Sequence, residues 1–310
     1  MMALGVGPGD EVITTPLTFV CSATTAMARG ARVVFADIDP RTLNLDPDAV
    51  ERRITPRTKA VIPVHFAGLA CVCGRFEDIT RKHGVSVIYD AAHAVGAKFR
   101  GAPVGGFGKA SCYSFQSNKN LTTLGEGGAV TTNDPEFAET VRQMKTFGFI
   151  YGNPTRVVRV GFNYRMTKPQ LAVGINQLKK IDDIIARKRE NFQRMNAALE
   201  GIEEIIPAPG VDDNHGALMH VVRLRTGRVN STRDRFTAHL KSEWGVGTVI
   251  HYPAVFSWEV MRIAGYTAEG CPEAEKACEQ VFSLPIFAAT TEEEITYIAH
   301  SLKETIAALG

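Results

Sequence analysis

Six short apolar runs, spaced by helix-like stretches, constrain the first half of this chain more than any other feature. They are Glu11–Thr14, Arg32–Asp37, Lys59–His65, Ser86–Asp90, Ala110–Phe115 and Ala129–Thr132. Rich in Val and Ile and mostly apolar on both faces, they read as strands of a covered parallel sheet. Helical patterns lie at about Phe19–Ala28, Pro47–Arg53, Arg75–His83 and Pro135–Lys145. Gly30 and Gly84 fit helix stops, and Asp46-Pro47 fits a helix start. Strands alternating with helices imply right-handed crossovers and a doubly wound α/β sheet. From Thr167 to about Leu199 runs one long helical pattern, with Leu171, Val173, Ile175, Leu178 and Ile181 as apolar positions. Beyond it, strand-like runs at Leu218–Arg225 and Val246–Ile250 precede a charged terminal helix from Thr291. The expectation is a large, mainly parallel α/β domain over residues 1–180 and a smaller α+β domain over residues 181–310.

At 310 residues the chain can bury a large core, and a formal charge of +2 gives no sign of a nucleic-acid or anionic-membrane partner. No apolar stretch has the length of a membrane span. Met1-Met2-Ala3-Leu4-Gly5 has neither the basic start nor the apolar centre of a signal peptide, so a cytoplasmic location is expected. The six cysteines show neither zinc-ribbon spacing nor disulfide density. Cys71-Val72-Cys73 is at most half a metal site with no second half, so no metal is expected and the thiols read as free.

Two phrases carry the chemistry: Ile88-Tyr89-Asp90-Ala91-Ala92-His93-Ala94 and Ser114-Phe115-Gln116-Ser117-Asn118-Lys119-Asn120. Each follows an apolar run, and ligands of an open α/β sheet bind beyond the carboxyl ends of its strands. An acid at a strand end often only caps the next turn, and a loop lysine is commonly just solvated. Here the lysine comes five residues after Ser114 and is followed by Leu124-Gly125-Glu126-Gly127-Gly128, whose glycines let backbone turn tightly beside a ligand. Asp90 can hold a pyridine nitrogen protonated, a Ser114 hydroxyl can bind a phosphate, and Lys119 can form a Schiff base. These are the requirements of pyridoxal 5′-phosphate. His93 can contact the cofactor's phenolic oxygen. Gly5-Val6-Gly7-Pro8-Gly9-Asp10 does not make a dinucleotide fingerprint, because a strand follows it rather than precedes it.

The chain resembles the DegT/DnrJ/EryC1/StrS sugar aminotransferases nearly end to end. The resemblance rests on Gly7–Thr14, Thr18-Phe19-Val20, Val34–Pro40, Pro63–Gly68, Asp90–Gly96, Ser114–Asn120, Gly125–Val130, Gly161–Met166, His251-Tyr252-Pro253 and Ser283-Leu284-Pro285 in order. It implies fold type I of the pyridoxal-phosphate enzymes, with an internal aldimine on Lys119 and Asp90 as pyridinium partner. It also implies Phe19 stacking on the cofactor, His93 beside its oxygen, and Ser114 as a phosphate ligand. Asn163 is implied to reach the phosphate from a neighbouring subunit, hence a homodimer with shared sites. The implied substrates are a keto sugar, nucleotide-linked, and an amino-acid donor, glutamate. A dehydratase branch of the family has histidine in place of the lysine, and Lys119 favours transamination over that reading.

Three features depart from the family pattern. The chain begins at the segment before Gly7, so the family's earlier Gly-Thr/Ser phosphate turn is expected to be missing and cofactor binding to be weakened; an inactive or regulatory family member is the alternative this leaves open. His215-Gly216-Ala217-Leu218-Met219-His220 replaces an aromatic-and-His stretch, and His251-Tyr252-Pro253-Ala254-Val255-Phe256 lacks a second His. Both regions shape the substrate side.

Overall fold

The computed structural model describes residues 1–310. Its principal sheet contains β1 (Glu11–Thr14), β2 (Arg32–Phe35), β3 (Thr58–Ile62), β4 (Ser86–Asp90), β5 (Ala110–Ser114) and β6 (Gly128–Thr131) in the order β2-β1-β3-β4-β5-β6. All neighbours run parallel except β5 and β6, which are antiparallel. The chain steps outward from β1 to β2 and then crosses back to β3, so the winding reverses beside β1. Such a reversal opens a crevice at the carboxyl ends of the strands.

Three helices cross between the parallel strands: α1 (Cys21–Met27), α2 (Pro47–Arg53) and α3 (Cys73–His83). Asp46 caps α2, its carboxylate accepting from the amides of Asp48 and Ala49, with Pro47 in the first turn. Gly84 ends α3 at φ 70°, a left-handed conformation that glycine adopts without steric cost. Cys73, Phe76 and Ile79 of α3 pack with Val61, Val87 and Tyr89 on one sheet face. Ala23 and Ala26 of α1 pack with Val12, Ala60 and Ile62 on the other. A further helix, α4 (Pro135–Met144), follows β6 and is capped by Asp134.

The long helical pattern divides into α5 (Lys168–Leu178) and α6 (Ile181–Ala198). Lys180, at φ −109° and ψ −3°, breaks the helical path. The break turns Ile181 and Ile185 into a cluster with Leu121, while Leu171, Ile175 and Leu178 of α5 remain exposed. The second sheet is antiparallel, ordered β7 (Ile205–Ile206), β8 (His220–Leu224), β9 (Val281–Leu284). Val222 and Leu224 of β8 pack with Phe282 and Leu284 against α6, α7 (Arg233–Trp244) and α9 (Glu292–Leu309). Val221 and Val281 point the other way, into the core shared with β1, α1 and α8 (Pro272–Gln280). The strand-like run at Val246–Ile250 contributes only one bridge, Val249 to Ser283. β9 was not read as a strand from its sequence. Thr291 starts α9 through a capping box with Glu294. No helix is long and apolar enough to cross a membrane.

Three histidines are sealed in this core. His65 stacks on Tyr89 at 4.8 Å, and His215 and His220 lie edge-on to Phe192. Burial pushes their pKa values down to about 3, 4 and 3. They stay neutral in the fold, whereas in the unfolded chain each takes a proton near 6.5. Their contribution is therefore complete above pH 6.5 and is lost as pH falls from there toward 4 and 3. Each should cost about 1.4 kcal/mol per pH unit within that window. Urea unfolding should give a stability several kcal/mol lower at pH 5 than at pH 7, before carboxylates titrate. Equal midpoints at the two values would contradict this account.

Candidate active site

Parallel register brings the chemical residues together. Asp90 of β4 pairs with Cys112 of β5, and Ser114 lies two residues on, so all three side chains share one face. That face opens onto a cavity of about 630 Å³, which Asp90 and Ser114 line with Cys21, Ser22, Cys112 and Tyr164. The Asp90 carboxylate is fixed by two donors: Ser22 Oγ reaches Oδ2 at 2.7 Å, and the Ala92 amide reaches Oδ1 at 3.0 Å. One oxygen is thus set by α1 and the other by the turn that follows β4. Ser114 Oγ accepts from the Gln116 amide at 3.3 Å.

Lys119 sits in the loop between β5 and β6. The Lys119 amide donates to Gln116 O at 2.9 Å, and Thr123 N returns to Phe115 O at 3.0 Å. The loop closes where Gly127 and Gly128 meet packed neighbours. A Cβ on Gly127 would lie 2.3 Å from Thr123 Oγ1 and 2.8 Å from Met166 Sδ, and one on Gly128 would lie 2.5 Å from Tyr113 O. The half-buried Lys119 ammonium has its pKa lowered by burial, while the charge of Asp90 pulls it back up. Cys21 feels both residues: burial and Asp90 push its thiol up to about 11, and Lys119 opposes them.

His93 is buried beside this pair. Its pKa is driven well below the ordinary value, first by burial and then by the charge of Lys119. Nε2 shares a hydrogen bond of 3.0 Å with Tyr252 Oη, while the buried Nδ1 has no partner. Tyr252 stacks on His93 with centroids 5.9 Å apart and lies 6.1 Å from Phe19, whose ring is 54% exposed beyond the end of β1. The neighbouring His251 bonds Ser283 Oγ at 2.7 Å; burial, followed by the Lys119 charge, lowers its pKa to about 4.

Asp90, Ser114, Lys119, His93 and Phe19 therefore belong to one region. Asn163 does not join them within the chain: it is exposed, and its Oδ1 accepts from Arg165 Nε at 2.7 Å. Ser22 and Tyr252 were not singled out as site residues from the sequence. Ser22 has a local signal, since it lies in the first turn of α1, three residues after Phe19. The Tyr252–His93 contact joins positions 159 apart and has none.

This set of groups suits pyridoxal 5′-phosphate. It offers a carboxylate for a pyridinium, an amine for an aldehyde carbon, a hydroxyl for a phosphate, and an orphaned imidazole nitrogen for a phenolic oxygen. The sequence matches the DegT/DnrJ/EryC1/StrS aminotransferase family over residues 1–303. The chain belongs to that family. It is a pyridoxal-phosphate-dependent sugar aminotransferase with the fold type I architecture. It is 35% identical to the spore coat polysaccharide biosynthesis protein SpsC of Bacillus subtilis, over 99% of this chain and 82% of that relative. It is 35% identical to the GDP-perosamine synthase of Caulobacter vibrioides, over 99% of this chain and 82% of that relative. Among solved structures, DesV of S. venezuelae in complex with a ketimine intermediate superposes with a TM-score of 0.90 at 31% identity. That match covers 98% of this chain and 80% of that one.

Gly127→Ala should strain the loop that carries Lys119, because the added methyl overlaps Thr123 and Met166. Overpacking of this kind costs about 1–3 kcal/mol. Urea unfolding should show that loss, with faster amide exchange over residues 115–127. An unchanged midpoint and unchanged exchange would contradict the tight closure.

Proposed function

We propose that this aminotransferase moves an amino group from glutamate to a keto sugar carried on a nucleotide, and that it works as a cytoplasmic homodimer with shared sites. The observation that carries the reading is the half-buried Lys119 amine set in the field of Asp90 at the carboxyl ends of adjacent strands. Pyridoxal 5′-phosphate supplies an electron sink when bound. Lys119 would hold its aldehyde carbon, Asp90 would accept from its ring N–H, and Phe19 would lie on its ring. His93 Nδ1 would donate to its phenolic oxygen, and Ser114 would hold its phosphate. Burial that lowers the pKa of Lys119 favours a neutral Nζ, which can take a proton from one carbon and return it to another.

The nucleotide link draws support from the GDP-perosamine synthase relative, and the reducing compartment from six unpaired cysteines. The homodimer is supported by an exposed apolar surface around Asn163: Tyr151, Val160, Tyr164, Ile175 and Leu178 each expose more than half their area. Asn163 of the partner subunit would then reach the phosphate. The two-unit division of the chain we place between Lys180 and Ile181, where α6 begins.

Borohydride reduction of the cofactor-loaded protein, followed by peptide mapping, should find the cofactor mass on Lys119. Lys119→Ala should lose both the adduct and turnover with glutamate. A reducible adduct on another lysine in that variant would refute the assignment. Mixing inactive Lys119→Ala chains with inactive Asn163→Ala chains under conditions of subunit exchange should restore part of the activity, since some mixed sites regain both residues. No recovery would show that Asn163 does not act across an interface.

A further inference from the structure

Lys119 is followed by a residue whose side chain is held from the second half of the chain. Asn120 is half-buried; its Oδ1 accepts from Lys188 Nζ at 2.8 Å, and its Nδ2 donates to Gly216 O at 2.6 Å. An ammonium can only donate and a backbone carbonyl can only accept, so the orientation of this amide is fixed by its partners. A flip would set donor against donor and acceptor against acceptor. On the other side of Lys119, its own amide donates to Gln116 O at 2.9 Å. The backbone at Lys119 is thus bracketed by two fixed points.

Lys188 comes from α6 and is only 8% exposed. Besides Asn120 it donates to Leu218 O at 2.8 Å, and the Phe192 ring centroid lies 5.9 Å from Nζ. No carboxylate lies within ion-pair distance, and burial pushes its pKa down to about 8. A buried ammonium with only neutral partners is expensive, and an apolar side chain of similar length would fill the space at lower cost. Stability alone therefore gives no reason for a lysine here. The strand-entry segment that it grips is itself tied to the principal sheet. Gly216 N donates to Gly68 O at 2.7 Å, Leu218 N to Ala67 O at 3.1 Å, and Lys98 N to Asn214 O at 2.8 Å. Lys188 therefore joins the Lys119 loop to the backbone that also fixes the loops after β3 and β4.

We propose that Lys188 is a positioning residue for the amine of Lys119, acting through the side chain of Asn120. This rests on the reading of Lys119 as the cofactor lysine. Lys188 touches neither cofactor nor substrate in this scheme; it sets where the amine stands relative to Asp90.

The test compares wild type, Lys188→Met, Asn120→Ala and the double variant, each loaded with pyridoxal 5′-phosphate and given glutamate. Lys188→Met keeps the length and removes the charged donor; Asn120→Ala breaks the same contact without opening the buried lysine site. Each single variant should lower the limiting rate of the glutamate half-reaction, which leaves the amino group on the cofactor and releases 2-oxoglutarate, by about tenfold to a hundredfold, the scale of a misplaced reacting group, with the glutamate concentration for half-maximal rate within about twofold. The pH titration of the bound cofactor's visible absorption should shift in both, and the double variant should be no worse than the more impaired single. A role in packing alone would move the melting temperature and leave that titration where it is. Wild-type titration and a wild-type half-reaction rate in both variants would overturn the proposal while leaving the cofactor role of Lys119 intact. Failure of the wild type itself to form a reducible linkage on Lys119 would overturn both.

Discussion

The constraint on which the site depends is that Asp90 and Lys119 are held at the same end of the principal sheet, close enough for the charge of one to be felt by the other. Burial lowers the pKa of the Lys119 amine, and the charge of Asp90 opposes that shift. An amine whose pKa is lowered gives up its proton more readily, which is what a proton-moving group requires. This balance requires Asp90 to hold its place at the end of β4 and Lys119 its place in the loop after β5. Parallel pairing of β4 with β5 fixes one, and the closed loop before β6 fixes the other. Ser22 and the Ala92 amide occupy both oxygens of Asp90, so its carboxylate cannot turn away.

The second half of the molecule contributes to the same balance from the opposite side. Alternation along β8 sends Val222 and Leu224 into a core under α6, α7 and α9, and Val221 into the core of the principal sheet. The two cores thereby share one strand. Tyr252 and His251 come from the connection between α7 and α8; Tyr252 bonds and stacks on His93, and His251 feels the charge of Lys119. Residues far apart in sequence thus meet around His93, beside the site of Asp90 and Lys119.

Much of this was legible in the sequence because it is local. Asp46-Pro47, Gly84 and Thr291 mark helix ends through contacts with their own neighbours, and each does so in the fold. Asp90 and Ser114 could be placed at strand ends because the apolar runs stop there. The break at Lys180 was hidden, since neither Pro nor Gly marks it and the turn is driven by Ile181 and Ile185 finding Leu121. β9 was hidden because Val281–Leu284 directly follows the last turn of α8, with no turn residue between them. The partners of the site residues were least legible: Ser22 on Asp90, Tyr252 on His93 and Lys188 on Asn120 join positions 68 to 159 apart. Spacing within one sequence carries no trace of such pairs.

The central claim is that Asp90 holds the cofactor's ring nitrogen protonated beside Lys119. The direct measurement is the nitrogen-15 NMR shift of ring-labelled pyridoxal 5′-phosphate bound to this protein, compared with the same cofactor bound to Asp90→Asn. The wild type should place the nitrogen in the pyridinium range and the variant in the neutral pyridine range, with both proteins folded. A pyridinium shift in both proteins, or a neutral shift in both, would contradict the account.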